Sequence, residues 1–181
     1  MPKNRVLSTR TLLVCAAVGV ATGLVSAAWA GLHVLVLAIG AIPLYGLVLG
    51  FHVLPGVIAQ QILRAPWVAL ITHAIAALIS LAFVPAMAGR YLLAAAVFGG
   101  VQEVVSALTR YRHWEPWRFL LSSAVTGVVI AIPLWFAFDV NALPMWGAIG
   151  FVVLFVIGPV VWTVIGLSVG SALRRAGVIR D

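Results

Sequence analysis

Glu103 is the one acidic side chain set deep in an apolar run of this chain, where an ionised carboxylate costs several kcal/mol unless something meets it. Counted from Tyr91 at about 1.5 Å per residue, it lies about 18 Å along its run, near a bilayer midplane. Ala96, Gly100 and Ala107 recur with it at helical spacing, a face of small residues that admits a neighbouring helix or leaves a cavity. No Lys or Arg is expected at that depth. The carboxyl is therefore held protonated, paired with an intramembrane histidine such as His73 or His52, or kept for a cationic or amine-bearing ligand. Trp29, Tyr45 and Trp135 could wall a site for a flat heteroaromatic molecule, although rings in such positions also form the ordinary interfacial belt. Asp139 and Asn141, just before Pro144, read as a turn and join a site only if that loop closes over it.

Other chemistries fit less well. Two histidines with Glu103 could hold a metal in principle, but no His-x-x-x-His or Glu-x-x-His spacing supports one. The lone Cys15 forms no internal disulfide and reads as a packing residue. Lys3 is the only lysine and has no glycine-rich phosphate loop before it, so any nucleotide-driven work falls to another chain. No paired carboxylates or nucleophile–base spacing suggests an enzyme. A proton relay through Glu103 and His73, as in a carrier or channel that needs no ATPase, is the rival reading.

The elements that must hold these residues are membrane helices. The chain has 181 residues, of which 64% are hydrophobic and 8% charged, with a mean hydropathy of +1.19. A water-facing surface needs about a quarter charged residues, so this is an all-α membrane protein with no room for a second, soluble domain. The net charge of +7 belongs to bilayer topology and not to nucleic-acid binding. Uncharged apolar runs over residues 11–30, 41–63, 67–88, 91–109, 119–138 and 146–173 predict a single domain over residues 1–181, a six-transmembrane-helix bundle. With the amino terminus in the cytoplasm, Lys3, Arg5, Arg10, Arg64, Arg110, Arg112, Arg118, Arg174, Arg175 and Arg180 share the inner side and Arg90 alone faces out, so both termini are expected to be cytoplasmic. Most tryptophans agree, Trp67, Trp114 and Trp117 at inner span ends and Trp29, Trp135 and Trp146 at outer ones; Trp162 is the exception.

The first run ends in Ala28-Trp29-Ala30, the form of a signal-peptide cleavage site, but it is longer than the usual apolar core of such a peptide. Residues 31–40 are apolar apart from His33 and too short to span; they suit an interfacial segment, an extension of the second helix or a lid. Ala17-x-x-x-Ala21 and Gly19-x-x-x-Gly23 give the first helix two faces open to close packing. The loop from Arg110 to Arg118 reads as a topogenic, headgroup-contacting segment, with partner docking as the alternative.

Taken in order, Trp29, Tyr45-Gly46-Leu47, Ile62-Leu63-Arg64-Ala65-Pro66, Ala76-Ala77-Leu78, Glu103 with Ala107-Leu108, Arg110-Tyr111-Arg112-His113-Trp114 and Gly177-Val178-Ile179-Arg180 resemble the YkoE family. These are S components, the substrate-binding subunits of energy-coupling factor (ECF) transporters, for thiamine or its hydroxymethylpyrimidine precursor. The resemblance implies a bundle of ECF S-component type in a prokaryotic inner (plasma) membrane. It would capture the vitamin from outside and deliver it by reorienting with a transmembrane coupling subunit and ATPase subunits. It implies no cofactor in this chain, ATP being used by the partners, and membrane lipid as its surroundings. It further implies that Ala17 and Ala21 meet the coupling subunit and that residues 31–40 close over the ligand. Glu103 would bond the aminopyrimidine or balance the thiazolium, with Trp29, Tyr45 and Trp135 stacking, His73 as a secondary contact and Asp139 nearby. His73 stands where the family often has Glu, and Phe98 where a Gln often precedes the Glu103 position.

Overall fold

The computed structural model describes residues 7–177, all of whose regular structure is helical. Lys3, Arg5 and Arg180, counted in the charge argument, and residues 178–180 of the closing motif lie outside the described residues.

Helix α1, Thr9–Ala38, starts where the Ser8 hydroxyl accepts a hydrogen bond from the Thr11 N–H, an N-cap of the ordinary kind. It runs without a break through the segment expected to be a separate outer element, so residues 31–38 extend the first helix and not the second. No proline or glycine pair interrupts them, and the chain turns only at Gly40, which has a φ of +69°. The second pass is broken: a 3-10 turn Ile42–Leu44, α2 Tyr45–Gly50, a second 3-10 turn Phe51–Val53 and α3 Leu54–Leu63. α4, Val68–Phe83, ends five residues before the expected boundary at residue 88, because Pro85 pushes Val84 out of helical conformation and opens the 3-10 turn Pro85–Met87. α5 Ala88–Leu108, α6 Pro116–Ala137 and α7 Met145–Arg175 follow.

Among the described residues, five segments are long and apolar enough to cross a membrane: Thr9–Ala38, Ile42–Leu63, Pro85–Leu108, Pro116–Ala137 and Met145–Arg175. Val68–Phe83 is apolar but has only 16 residues, about 24 Å of helix.

Small residues set the packing, as expected where apolar burial alone does not draw helices together. Gly19 and Gly23 bring α1 against Thr72, Ile75, Ala76 and Ile79 of α4, with the two helices parallel; any side chain there would meet Ile75 or the Ala76 carbonyl within 3 Å. The Gly19-x-x-x-Gly23 face is thus an internal one, whereas Ala17 and Ala21 lie exposed on the opposite side. α2 and α3 run parallel to α7 through Gly46, Gly50, Gly158, Gly166 and Gly170, close enough that a Cβ on Gly50 would stand 2.5 Å from the Gly158 carbonyl carbon. α6 lies antiparallel to α7, joined by a Ser123–Thr163 hydroxyl pair and by Gly127 against Phe155. These directions gather the starts of α1, α4 and α6 and the ends of α3, α5 and α7 at one end of the bundle. Arg10, Arg64, Arg110, Arg112, Arg118, Arg174 and Arg175 are there; Arg90 is at the other end.

Candidate functional site

At the basic end, the short α4 starts from the exposed Trp67, with Val68 and Ala69 already fully buried. The first N–H groups of a helix have no partner within it, and in a membrane interior no water replaces one. Glu103 supplies the acceptors. Its Oε2 receives the Trp67 N–H at 3.0 Å and the Tyr111 hydroxyl at 3.1 Å, and its Oε1 receives the Ala69 N–H at 2.8 Å. A carboxylate there also meets the positive end of the helix dipole. Glu103, 4% exposed, is met in this way by two backbone N–H groups and one phenol. The Tyr111 hydroxyl, in the α5–α6 loop, is pushed up to about 12 by burial, by the Glu103 charge and by its hydrogen bond to that carboxylate, so it stays a donor.

Arg118, expected in an inner loop, is fully buried beside this network. Its guanidinium nitrogens donate to Gln60 Oε1 at 3.2 and 3.3 Å and to Ser106 Oγ at 2.5 Å, and it lies over the rings of Trp114 and Phe119. Gln60 Nε2 donates to the same Ser106 hydroxyl at 3.0 Å, and Gln102 Nε2 donates to the Val53 carbonyl at 3.0 Å, where the second pass is broken. The cluster ties α3, α5 and α6 together.

The Arg90 end is different. Between α2, the start of α5 and the end of α6 lies a cavity of about 330 Å³, walled by Tyr45, Phe98, Ile130, Leu134 and Phe138 with Arg90 at its edge. That is the size and the largely apolar character of small-molecule sites. Tyr45 meets Phe138 edge-on at 5.4 Å, which fixes two faces of the wall. Ala94 separates this cavity from a second one of about 20 Å³, lined by Ser26, His52, His73, Ser80 and Tyr91. His52 Nε2 stands 3.3 Å from His33 Nε2, and His52 Nδ1 stands 3.5 Å from Ser26 Oγ.

The residues expected to share one site are dispersed. Tyr45 lines the larger cavity and His73 the smaller, where its Nε2 is 3.3 Å from Gln102 Oε1. Trp29 instead packs inside the bundle, stacked on Phe51 and edge-on to Trp162, with its indole N–H on the Val48 carbonyl. Trp135 lines an outer groove between α6 and α7 and donates to Asn141 Oδ1. Asp139 is exposed, at a turn with φ 44°. Glu103 lines neither cavity: the premise that its oxygens wait for a positively charged guest is corrected by the three donors they already hold. Phe138, Ser26 and Tyr91, which line these cavities, carry no motif or charge that marks them in the sequence. Phe98 stands out in the sequence only as a family departure and Arg90 only as a topology marker, although among the described residues Arg90 is the sole Arg or Lys of its end.

No curated protein matches this chain in sequence. Among solved structures, one described as the crystal structure of an S-component of ECF transporter superposes with a TM-score of 0.83 at 19% identity, covering 94% of this chain and 87% of that one. At that identity the likeness shows the fold: this is a multi-pass membrane protein with the ECF S-component architecture. In sequence, residues 10–129 match the family described as ABC-type cobalt transport system, permease component, and the chain belongs to that family.

Proposed function

We propose that this chain is the substrate-binding subunit of an ECF-type importer, and that its ligand is a small, uncharged heteroaromatic vitamin precursor of the hydroxymethylpyrimidine type. The observation that carries this reading is the aromatic-walled cavity of about 330 Å³ at the Arg90 end. With Glu103 engaged at α4, the cavity has a guanidinium at its edge and no carboxylate among its lining residues, which disfavours the thiazolium cation of thiamine and suits the neutral pyrimidine. Stacking on Tyr45, Phe98 and Phe138 supplies the affinity.

The family description names cobalt. A cobalt ion needs several imidazole, thiolate or carboxylate donors around one point, and no group of three His, Cys, Asp or Glu gathers among the described residues. A proton relay through Glu103 and His73 lacks a connection, since Glu103 bonds Trp67, Ala69 and Tyr111 while His73 bonds Gln102.

In this reading α4 is a sixth, thin crossing, both ends of the chain are cytoplasmic because the basic end faces inward, and the membrane is a prokaryotic plasma membrane. A coupling subunit and ATPases deliver the energy, and Ala17 and Ala21 offer the close-packing face to the coupling subunit. The test is calorimetry on the detergent-purified chain with hydroxymethylpyrimidine, thiamine and cobalt chloride in turn. Saturable binding of the pyrimidine, weaker binding of thiamine and none of cobalt is expected. Cobalt binding without pyrimidine binding would overturn the reading.

A further inference from the structure

We propose that the small chamber behind Ala94 is a specificity subsite, in which His52, with Ser26 and Tyr91, hydrogen-bonds one amino or hydroxyl substituent of a ring held in the larger cavity. The inference rests on the function proposed above.

The hydrogen bonds of the two polar clusters differ. At the basic end, the Ser106 hydroxyl accepts from Arg118 at 2.5 Å and from Gln60 at 3.0 Å, and Glu103 separately holds its three donors at 2.8 to 3.1 Å, although Arg118 meets Gln60 only at 3.2 and 3.3 Å and its buried Nε has no partner. At the chamber, His52 reaches His33 and Ser26 only at 3.3 and 3.5 Å, and the Tyr91 hydroxyl reaches the Ser26 carbonyl only at 3.5 Å. Those lengths lie at or beyond the long edge of ordinary hydrogen bonding. His33, which meets His52 but lines neither cavity, has a buried Nδ1 with no hydrogen-bond partner. Polar groups inside a membrane bundle normally find partners, because leaving them without is costly. A cluster with hydrogen-bonding capacity to spare, facing a cavity, can therefore engage a polar guest.

The size of the guest follows from the volume. About 20 Å³ accommodates one water-sized group, hence one amino or hydroxyl substituent and not a ring. Ala94 lines both spaces, and the Phe98 ring, in the wall of the larger one, has its centroid 5.8 Å from that of His52 and 6.2 Å from that of His73. A flat ring lying on Phe98 thus points a substituent past Ala94 at His52. The imidazole donates or accepts according to tautomer, so it serves either substituent.

The experiment is a cycle of protein and ligand changes, read by calorimetry on the full chain in detergent. The ligands are hydroxymethylpyrimidine and two analogues, one with the exocyclic amino group replaced by hydrogen and one with the hydroxyl so replaced. The proteins are wild type, His52→Phe, which keeps a ring and removes its nitrogens, and Tyr91→Phe and Ser26→Ala as milder variants should the first not fold. Wild type is expected to favour the parent over one analogue by about 100-fold, and the variants are expected to lose most of that preference while binding that analogue as wild type does. If wild type binds the parent pyrimidine but the preference is absent, or survives in the variants, the subsite is refuted and the importer reading stands. If wild type binds no pyrimidine, both fail together.

Discussion

A carboxylate inside a membrane bundle must find donors before it does anything else, and Glu103 finds them in the start of α4. Glu103→Gln keeps one carbonyl acceptor but turns an NH₂ toward donors and removes the charge at the helix dipole. It is expected to cost about 1–3 kcal/mol of stability while leaving pyrimidine affinity unchanged. Thermal melting in detergent beside calorimetry checks both; a selective loss of affinity at unchanged melting temperature would return Glu103 to the ligand site. Tyr111 offers a pH test. Its folded value is about 12 against an ordinary 10.0, so the stability it contributes is complete below pH 10 and disappears as pH rises through about 12. A difference ultraviolet titration of wild type against Tyr111→Phe should show that one phenol ionising near pH 12; ionisation near pH 10 would contradict the bond to Glu103. The sequence identified Glu103 as the acid needing compensation. It could not show the answer, because backbone N–H groups at Trp67 and Ala69 carry no residue signature. Arg118 was hidden for the opposite reason: a basic residue beside a loop looks topogenic, and only the fold shows Trp114 and Phe119 enclosing it.

Among the helices, composition located most spans to within a few residues, because charges and prolines end them. It failed over residues 31–38, where an apolar helix, lid or interfacial strip would read alike, and at α4, where Pro85 cut the run short. The sequence was silent on the site's position, since the cavity lies between α2, α5 and α6 and no periodicity within one helix reports what another leaves open. The glycines, in contrast, report close approach directly once the helices are paired. Gly56 is the sharpest case: a Cβ there would fall 1.8 Å from Gln102 Oε1 and 2.9 Å from His73 Nε2. Gly56→Ala is expected to displace the Gln102 amide from the Val53 carbonyl and to destabilise by about 1–3 kcal/mol, read as a lower melting temperature. An unchanged melting temperature would mean that α3 and α5 are less closely held than described.

At the scale of the molecule, the bundle separates two kinds of interior: a polar knot around Arg118 and Glu103 at the basic end and a roomy aromatic cavity with a small polar chamber beside it at the Arg90 end. The exposed Ala17 and Ala21 lie on the face of α1 turned away from α4, open to lipid or to another helix. Replacing both with Leu is expected to prevent co-purification with a coupling subunit while ligand binding by the solitary chain is unaffected; retention of the complex would assign that face to lipid. Whether the Arg90-end cavity carries the cargo is decided by native mass spectrometry of the chain purified without added ligand. A retained neutral heteroaromatic molecule, exchangeable for hydroxymethylpyrimidine and lost when Phe98→Ala opens the wall, is the expected result. A retained metal ion, or a molecule whose retention depends on Glu103 and not on Phe98, would contradict it.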